Sequence, residues 1–153
     1  MLSLQKTFKS TIAIQLKQAR KNAKLTQKSL AEQIGVTVPT IRQAENGYGT
    51  FAGFTKIAEA LGLELVGRSL KNNKLTLGEA LKVLRQRQKL SIRSLASLTE
   101  IHANTIKAVE INQAVNLHTI DIIAHYLQAG LYLKPINETL PFFTGIAASS
   151  NYD

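Results

Sequence analysis

The chain has 153 residues, 44% of them hydrophobic, which is enough for a buried core and excludes a wholly disordered protein. Cysteine is absent, so disulfide bonds, thiolate nucleophiles and cysteine-bound zinc are excluded, and a reducing cytoplasm is the expected location. Lysine and arginine outnumber the acidic residues by 19 to 10, and the net charge of +9 favours a polyanionic partner, either nucleic acid or an anionic membrane surface.

Neither secretion nor membrane insertion is expected. The N-terminal residues contain no long apolar run, which argues against a signal peptide. The longest apolar candidate, residues 120–133, is interrupted by polar residues and a glycine, so it does not predict a membrane span. The basic charge is concentrated in residues 1–31, which have no acidic residue. The alternative to a nucleic-acid partner is a basic surface that serves solubility alone.

An internal repeat covers most of the chain. When residues 16–45 are placed on residues 81–110, an offset of 65, eleven of thirty positions are identical. One inserted residue after Gly47 changes the offset to 66, and apolar positions then match from Ile57 to Leu65. The matches fall on apolar and charged positions together, which predicts two copies of one small unit.

Four helices are predicted in the first unit. The first has an apolar face with helical spacing, formed by Ile12, Leu16 and Ala19. The second begins at the N-cap Thr26 and is closed by Gly35. The third begins after Thr37, with a proline in its first turn, and the fourth fits residues 53–61.

The second unit predicts the same order of helices. Thr76 and Glu79 form a capping box for its first helix, and Ser91 caps the second. The third fits residues 104–109, and the fourth runs from Asn116 to about Leu127. Each unit then ends in a predicted strand, residues 63–70 and 131–136. A lone strand is unstable, so these strands should pair with each other or with a second chain.

Residues 26–47 have the pattern of a helix-turn-helix, two short helices joined by a tight turn. This segment, together with the residues just before it, resembles the phage-repressor/Cro (XRE-type) helix-turn-helix family. The matching positions are Arg20, Leu25, Thr26, Gln27, Leu30, Ala31, Gly35, Val36, Ile41, Glu45, Asn46 and Gly47. The resemblance is close over about 10–68 and weaker over 77–136.

The predicted fold is all-α, with two tandem lambda-repressor-like units, each followed by a short β-strand. We expect a first domain at residues 8–70, a linker at 71–75, a degenerate second domain at 76–136 and a C-terminal tail at 137–153.

The resemblance implies a site on the first unit. Phosphates would be held by Gln27 and Asn46, with electrostatic support from Lys24 and Lys28. Bases in the major groove would be contacted by Thr37, Val38, Pro39, Thr40, Arg42 and Gln43. Gln43 suits adenine and Arg42 suits guanine, although a solvated charge or a phosphate contact is the alternative for Arg42. The apolar pair Val38 and Pro39 suggests some recognition of DNA shape.

Two structural ion pairs are also implied by the resemblance, Arg20 with Glu45 and Arg85 with Glu110. The second unit departs from the family pattern where Ile92 replaces the glutamine and Glu100 replaces the turn glycine. Its candidate DNA contacts are Arg93, His102, Asn104 and Lys107. The alternative is a unit kept for dimerisation or for binding another protein.

No enzymatic activity, cofactor or metal site is expected. The sequence has no phosphate-binding glycine loop, no His–Glu metal motif and no paired acids in an apolar context. The histidines His102, His118 and His125 have no partner at metal-ligand spacing, and we expect His125 on the core side of the last helix.

The sequence therefore predicts a sequence-specific, duplex-DNA-binding transcriptional regulator, acting as a repressor. A DNA-binding antitoxin that also neutralises a toxin protein is the alternative, with the second unit or the tail from Asn137 as the protein-binding part. A pure protein-interaction module is a third class. The two units could act as a pseudo-dimer within one chain, but we favour a homodimer with the strands as the pairing surface.

Overall fold

The computed structural model describes residues 8–70, 74–113 and 115–136, so the tail predicted at 137–153 and most of the predicted linker lie outside the described residues. The described residues form eight α-helices and two β-strands. In chain order they are α1 (Thr11–Asn22), α2 (Gln27–Ile34), α3 (Val38–Glu45), α4 (Phe51–Ala60), β1 (Leu63–Gly67), α5 (Leu77–Arg87), α6 (Ile92–Thr99), α7 (Ala103–Glu110), α8 (Leu117–Tyr126) and β2 (Leu131–Pro135).

Hydroxyl side chains begin most of the helices. In each case the oxygen accepts a hydrogen bond from a backbone N–H three residues later, which satisfies a donor that the helix itself cannot pair. The residues are Ser10, Thr26, Thr37, Thr50, Thr76 and Ser91. Thr50 explains why α4 begins two residues before the predicted start at Gly53. The Gly53 N–H donates to Thr50 Oγ1 at 2.9 Å, so the helix begins at Phe51.

The capping box at the start of α5 connects two helices. Thr76 Oγ1 accepts from the Glu79 N–H at 3.3 Å, and Glu79 Oε1 accepts from the Thr76 N–H at 2.9 Å. The Thr76 hydroxyl also donates to Glu79 Oε1, at 3.0 Å. This bond and the one from the Thr76 N–H lower the pKa of Glu79, the backbone N–H contributing most. The Thr76 oxygen also accepts from Asn112 Nδ2 at 2.7 Å, which ties the start of α5 to the turn after α7.

Thr76→Ala is expected to lower the free energy of unfolding by about 1–2 kcal/mol, since the variant loses the cap and the bond from Asn112. Urea denaturation followed by circular dichroism measures this change. The matched control is Ser97→Ala, which removes an exposed hydroxyl inside α6. Equal stability of Thr76→Ala and the parent would contradict the assignment.

The two strands pair with each other. They are antiparallel, with Val66 opposite Tyr132 and Leu65 opposite Leu133. The outer edge of β2 is partly covered as well, because the Leu133 N–H donates to Gln15 Oε1 on α1 at 2.8 Å. Of the two pairings open to the strands, the structure therefore has the one within the chain.

A single apolar core connects all parts of the described chain. It contains residues from the early helices, such as Leu16, Leu30 and Phe54, together with residues from the late helices, such as Leu95 and Ile123. Helices α4 and α8 pack against each other inside it. Burial of this shared apolar surface is the main force holding the early and late helices together.

Candidate nucleic-acid interface

The turn between α2 and α3 sets how α3 is presented. Gly35 closes α2 in the left-handed conformation, with φ of 72°, and the Val36 N–H then bonds back to the Ala31 carbonyl at 3.0 Å. Thr37 begins α3 three residues after the end of α2. The inner face of α3, formed by Ile41 and Ala44, is buried in the core, so its opposite face points to solvent.

A buried ion pair fixes the end of α3 to α1. Arg20 Nε and Nη2 donate to the two carboxylate oxygens of Glu45 at 2.6 Å and 3.1 Å, and Nη1 donates to the Leu25 carbonyl at 2.8 Å. The hydrogen bond to Glu45 raises the pKa of Arg20. Such a bidentate pair gives α3 one orientation relative to α1.

Gln27 extends this network towards the surface. Its amide nitrogen donates to Glu45 Oε1 at 3.0 Å, and the residue is half-buried in the first turn of α2. An amide nitrogen has two hydrogens, so the second remains available to a phosphate oxygen. The structure thus holds the Gln27 side chain in place through the same carboxylate that positions α3.

The six predicted base-contacting residues fall into three groups. Pro39, Arg42 and Gln43 are exposed on the outer face of α3. Thr37 is the N-cap of α3, and the hydroxyls of Thr37 and Thr40 are hydrogen-bonded to each other at 2.9 Å. Val38 is half-buried and packs against the core. We call Pro39, Arg42 and Gln43 the α3 outer face.

The predicted phosphate-binding residues lie near the start of α2 and at the end of α3. Lys28 is exposed on the first turn of α2, and Lys24 is exposed just before that helix. Asn46 is exposed at the C-cap of α3. The backbone N–H groups of the first turn of α2 lie beside Lys28, and a helix N-terminus favours an anion. The exposed cations and backbone N–H groups have the chemistry needed to bind phosphate oxygens.

The late helices repeat much of this geometry. Arg85 Nε and Nη2 donate to Glu110 at 2.6 Å and 3.0 Å, and Nη1 donates to the Leu90 carbonyl at 2.8 Å. Ile92 is the repeat equivalent of Gln27 and has no amide, so it cannot donate to Glu110 the hydrogen bond that Gln27 donates to Glu45. Glu100 closes α6 with φ of 62°, a conformation that costs energy for a residue with a Cβ.

The predicted second-unit DNA contacts are all exposed in the structure. Arg93 lies in the first turn of α6, and Asn104 and Lys107 lie on the outer side of α7. His102 is the N-cap of α7, but its side chain makes no capping hydrogen bond. We call Asn104 and Lys107 the α7 outer face.

The histidines differ from one sequence expectation. His125 is exposed, whereas we expected it on the core side of α8; that side is formed by residues such as Asp121 and Ala124. The His125 ring packs edge-on against Phe8, with centroids 5.3 Å apart. His118 stacks on Tyr48, with centroids 5.0 Å apart, and burial lowers the pKa of His118.

The sequence pattern did not reveal these ring contacts, because they join residues about 70 or more positions apart. Within residues 8–70, 74–113 and 115–136, no group of three or more His, Asp or Glu side chains is arranged to hold a metal ion. None of the helices in the described part of the chain combines the length and apolar character needed to cross a bilayer.

Comparison with known proteins gives one match. Residues 16–67, about a third of the chain, match a family model described as helix-turn-helix. This segment contains α2, α3 and the predicted phosphate-binding residues Lys24, Gln27, Lys28 and Asn46. No curated protein and no solved structure matches the chain. The match supports the XRE-type family that the sequence motif resembles, and with it a DNA-binding regulator of transcription.

Proposed function

We propose that this chain binds specific sites on duplex DNA and represses transcription, with α3 lying in the major groove. The observation that favours this function is the α3 outer face, which is exposed while the opposite side of α3 is fixed by the core and by the Arg20–Glu45 pair. A helix held in this way presents side chains to base edges without reorganisation. Acting on DNA is in keeping with the cytoplasmic location expected from the sequence.

Each part of the site has a separate role in the proposed complex. Lys24, Lys28 and Asn46 would contact phosphates, as would the free amide hydrogen of Gln27. Gln43 would form paired hydrogen bonds with adenine, and Arg42 with guanine. Thr37 and Thr40 would contribute less to base recognition, because their hydroxyls already bond to each other. Val38 and Pro39 would add apolar contact or respond to groove shape.

Selection of bound duplexes from a random-sequence pool tests the proposal. At about 150 mM salt, weak contacts to phosphates alone are suppressed. We expect one enriched motif, and log affinity should fall with log salt by about 0.9 for each phosphate neutralised. Binding that shows this salt dependence without enriching any motif would contradict sequence-specific recognition.

Gln43→Ala is expected to weaken binding to the enriched motif by about 1–3 kcal/mol and to relax preference at one base pair. Lys28→Ala should instead weaken binding to all sequences and reduce the salt slope by about 0.9. Fluorescence anisotropy with the motif and with single-base variants measures both effects. Gln86→Ala, which removes an exposed amide from α5, is the matched control and should bind like the parent.

Repression would follow if the bound protein occludes polymerase from a promoter. A reporter gene placed behind the enriched motif tests the sign of regulation, because a repressor lowers expression only when the motif is intact.

The antitoxin alternative requires a protein partner that binds the second unit or the tail from Asn137. Residues 137–153 lie outside the described residues, and the exposed Arg93, Asn104 and Lys107 suit DNA as well as they suit a protein. Co-expression with the gene next to that of this protein, followed by co-purification, distinguishes the two functions. A tight complex that forms without DNA would favour the antitoxin.

A further inference from the structure

The early and late helices have nearly the same local geometry. Helices α2 and α6 each span eight residues, as do α3 and α7, and α4 and α8 each span ten. Eight of the ten left-handed backbone positions among the described residues form four pairs of repeat equivalents. They are Lys24 and Lys89, Gly35 and Glu100, Gly47 and Asn112, and Gly62 and Gln128. The late helices therefore hold α7 in the same arrangement in which the early helices hold α3.

The contact between the two sets of helices is reciprocal. Thr50 forms an antiparallel bridge with Asn116, and the offset of 66 makes these two residues equivalent in the repeat. The Phe51 N–H donates to the Val115 carbonyl at 3.0 Å, and the Leu117 N–H donates to the Gly49 carbonyl at 2.9 Å. Each of these bonds is the repeat equivalent of the other.

The strands also pair a residue with its own equivalent in the repeat. Val66 pairs with Tyr132, again 66 residues apart, and the flanking pairs are arranged around this position. A residue facing its own equivalent at two separate places is the signature of a two-fold axis, in which one surface meets a second copy of itself. Here both copies belong to one chain, and the axis passes between Thr50 and Asn116 and between Val66 and Tyr132.

We infer that α7 is a second recognition helix and that a single chain binds DNA as an intramolecular dimer, at a site made of two unlike half-sites. The inference rests on the proposed function. The axis relates α3 to α7, and entry of both helices into successive major grooves on one side of a duplex requires a separation of about 34 Å. The strand edges that could have paired with a second chain are paired with each other between the repeats.

The two half-sites are expected to differ because the exposed residues of α3 and α7 differ. Position 39 is proline while its equivalent 104 is asparagine, which suits adenine. Position 42 is arginine and position 107 is lysine, and both suit guanine. Gln43 has Ala108 as its equivalent, so adenine recognition at that place exists only in the first half. Arg93 would hold a phosphate where Ile92 has replaced the glutamine.

The experiment compares the bound sequences and the stoichiometry of the parent and three variants. The parent should sediment as a monomer, bind one chain per duplex and enrich a motif of two different boxes. The variant Asn104→Ala/Lys107→Ala should lose sequence preference in one box only and lose about ten- to a hundredfold in affinity. The variant Arg42→Ala/Gln43→Ala should lose preference in the other box only. Lys82→Ala, an exposed lysine on α5, controls for the loss of charge.

A transplant of the α3 surface onto α7 makes the test sharper. His102→Thr, Ala103→Val, Asn104→Pro, Lys107→Arg and Ala108→Gln together give α7 the same exposed residues as α3. We expect this protein, still monomeric, to enrich a palindrome. A palindrome bound by two chains of the parent would overturn the inference, as would an unchanged motif for Asn104→Ala/Lys107→Ala. If no protein enriches any motif, the proposed function itself fails, whereas a dimer in the absence of DNA refutes only the intramolecular pairing.

Discussion

Glu45→Ala is expected to lower the free energy of unfolding by about 3–5 kcal/mol, because it leaves the guanidinium of Arg20 buried without a counter-charge. The Glu45 side chain is 2% exposed and that of Arg20 is 8% exposed, so water cannot replace the lost carboxylate without rearrangement. The Leu25 carbonyl and solvent at the edge would be the remaining partners of Arg20. Urea denaturation at pH 7, followed by circular dichroism, measures the loss.

Two further variants separate the pair from the general effect of removing a carboxylate. Glu32→Ala removes an exposed carboxylate from α2 and should change stability by less than about 0.5 kcal/mol. The double variant Arg20→Met/Glu45→Leu should recover most of the loss, since replacing a buried ion pair by apolar residues of similar volume is often close to neutral. A loss below about 1 kcal/mol for Glu45→Ala would show that the pair is hydrated in solution.

The double variant also distinguishes stability from function. If the pair serves to orient α3, Arg20→Met/Glu45→Leu should fold and still bind DNA more weakly, because Gln27 loses its partner at Glu45 and α3 loses its tie to α1. Recovery of stability without recovery of DNA affinity is the expected result. Equal recovery of both would mean that apolar packing alone orients α3.

Much of the local structure could be predicted from the sequence because its causes are local. Hydroxyl residues such as Thr26 and Thr37 begin helices by bonding to N–H groups three positions away, and Gly35 accepts a left-handed conformation. The two strands were also predicted at their starts, Leu63 and Leu131. In each of these cases, residues a few positions apart along the chain are sufficient to determine where the element begins or ends.

The remaining features depend on contacts between distant parts of the chain. The sequence allowed the strands to pair within the chain or between chains, and the packing of α4 on α8 and of α1 on β2 accompanies the pairing of β1 with β2. The prediction for His125 was wrong because the buried face of α8 is broad and does not include this residue. Asp121 is on the buried face instead, at a position where hydropathy predicts an apolar residue. A buried aspartate is recognisable only once its neighbours are known.

Asp121→Asn is expected to stabilise the protein at pH 7.5 by up to about 3 kcal/mol and to have almost no effect near pH 4. Asp121 is 6% exposed, and its Oδ2 has no hydrogen-bond partner among the described residues. Burial raises its pKa from the ordinary 3.8 to about 6, against the opposing effects of the Ser10 hydroxyl and of His125. Each unit of pKa difference between the folded and unfolded chain corresponds to 1.36 kcal/mol, and the difference is about two.

The sign follows from the direction of the shift. The folded chain binds the proton more tightly than the unfolded chain, so the stability due to Asp121 is fully present below pH 3.8 and is lost as the pH rises through about 6. Asparagine retains an acceptor for Ser10 and never ionises, so Asp121→Asn escapes this loss. Urea denaturation at several pH values between 4 and 7.5 measures the difference, with Glu59→Gln, an exposed carboxyl on α4, as the control.

The result would also bear on how the two sets of helices are joined. Ser10 caps α1 and Asp121 lies on α8, so the ionised carboxylate destabilises a contact between the early and the late helices. If those helices unfold as one unit, the pH effect should appear in a single cooperative transition, and Asp121→Asn should shift the whole transition. A gain at pH 7.5 no larger than that at pH 4 would mean that solvent reaches Asp121 and that its carboxylate is not desolvated in this contact.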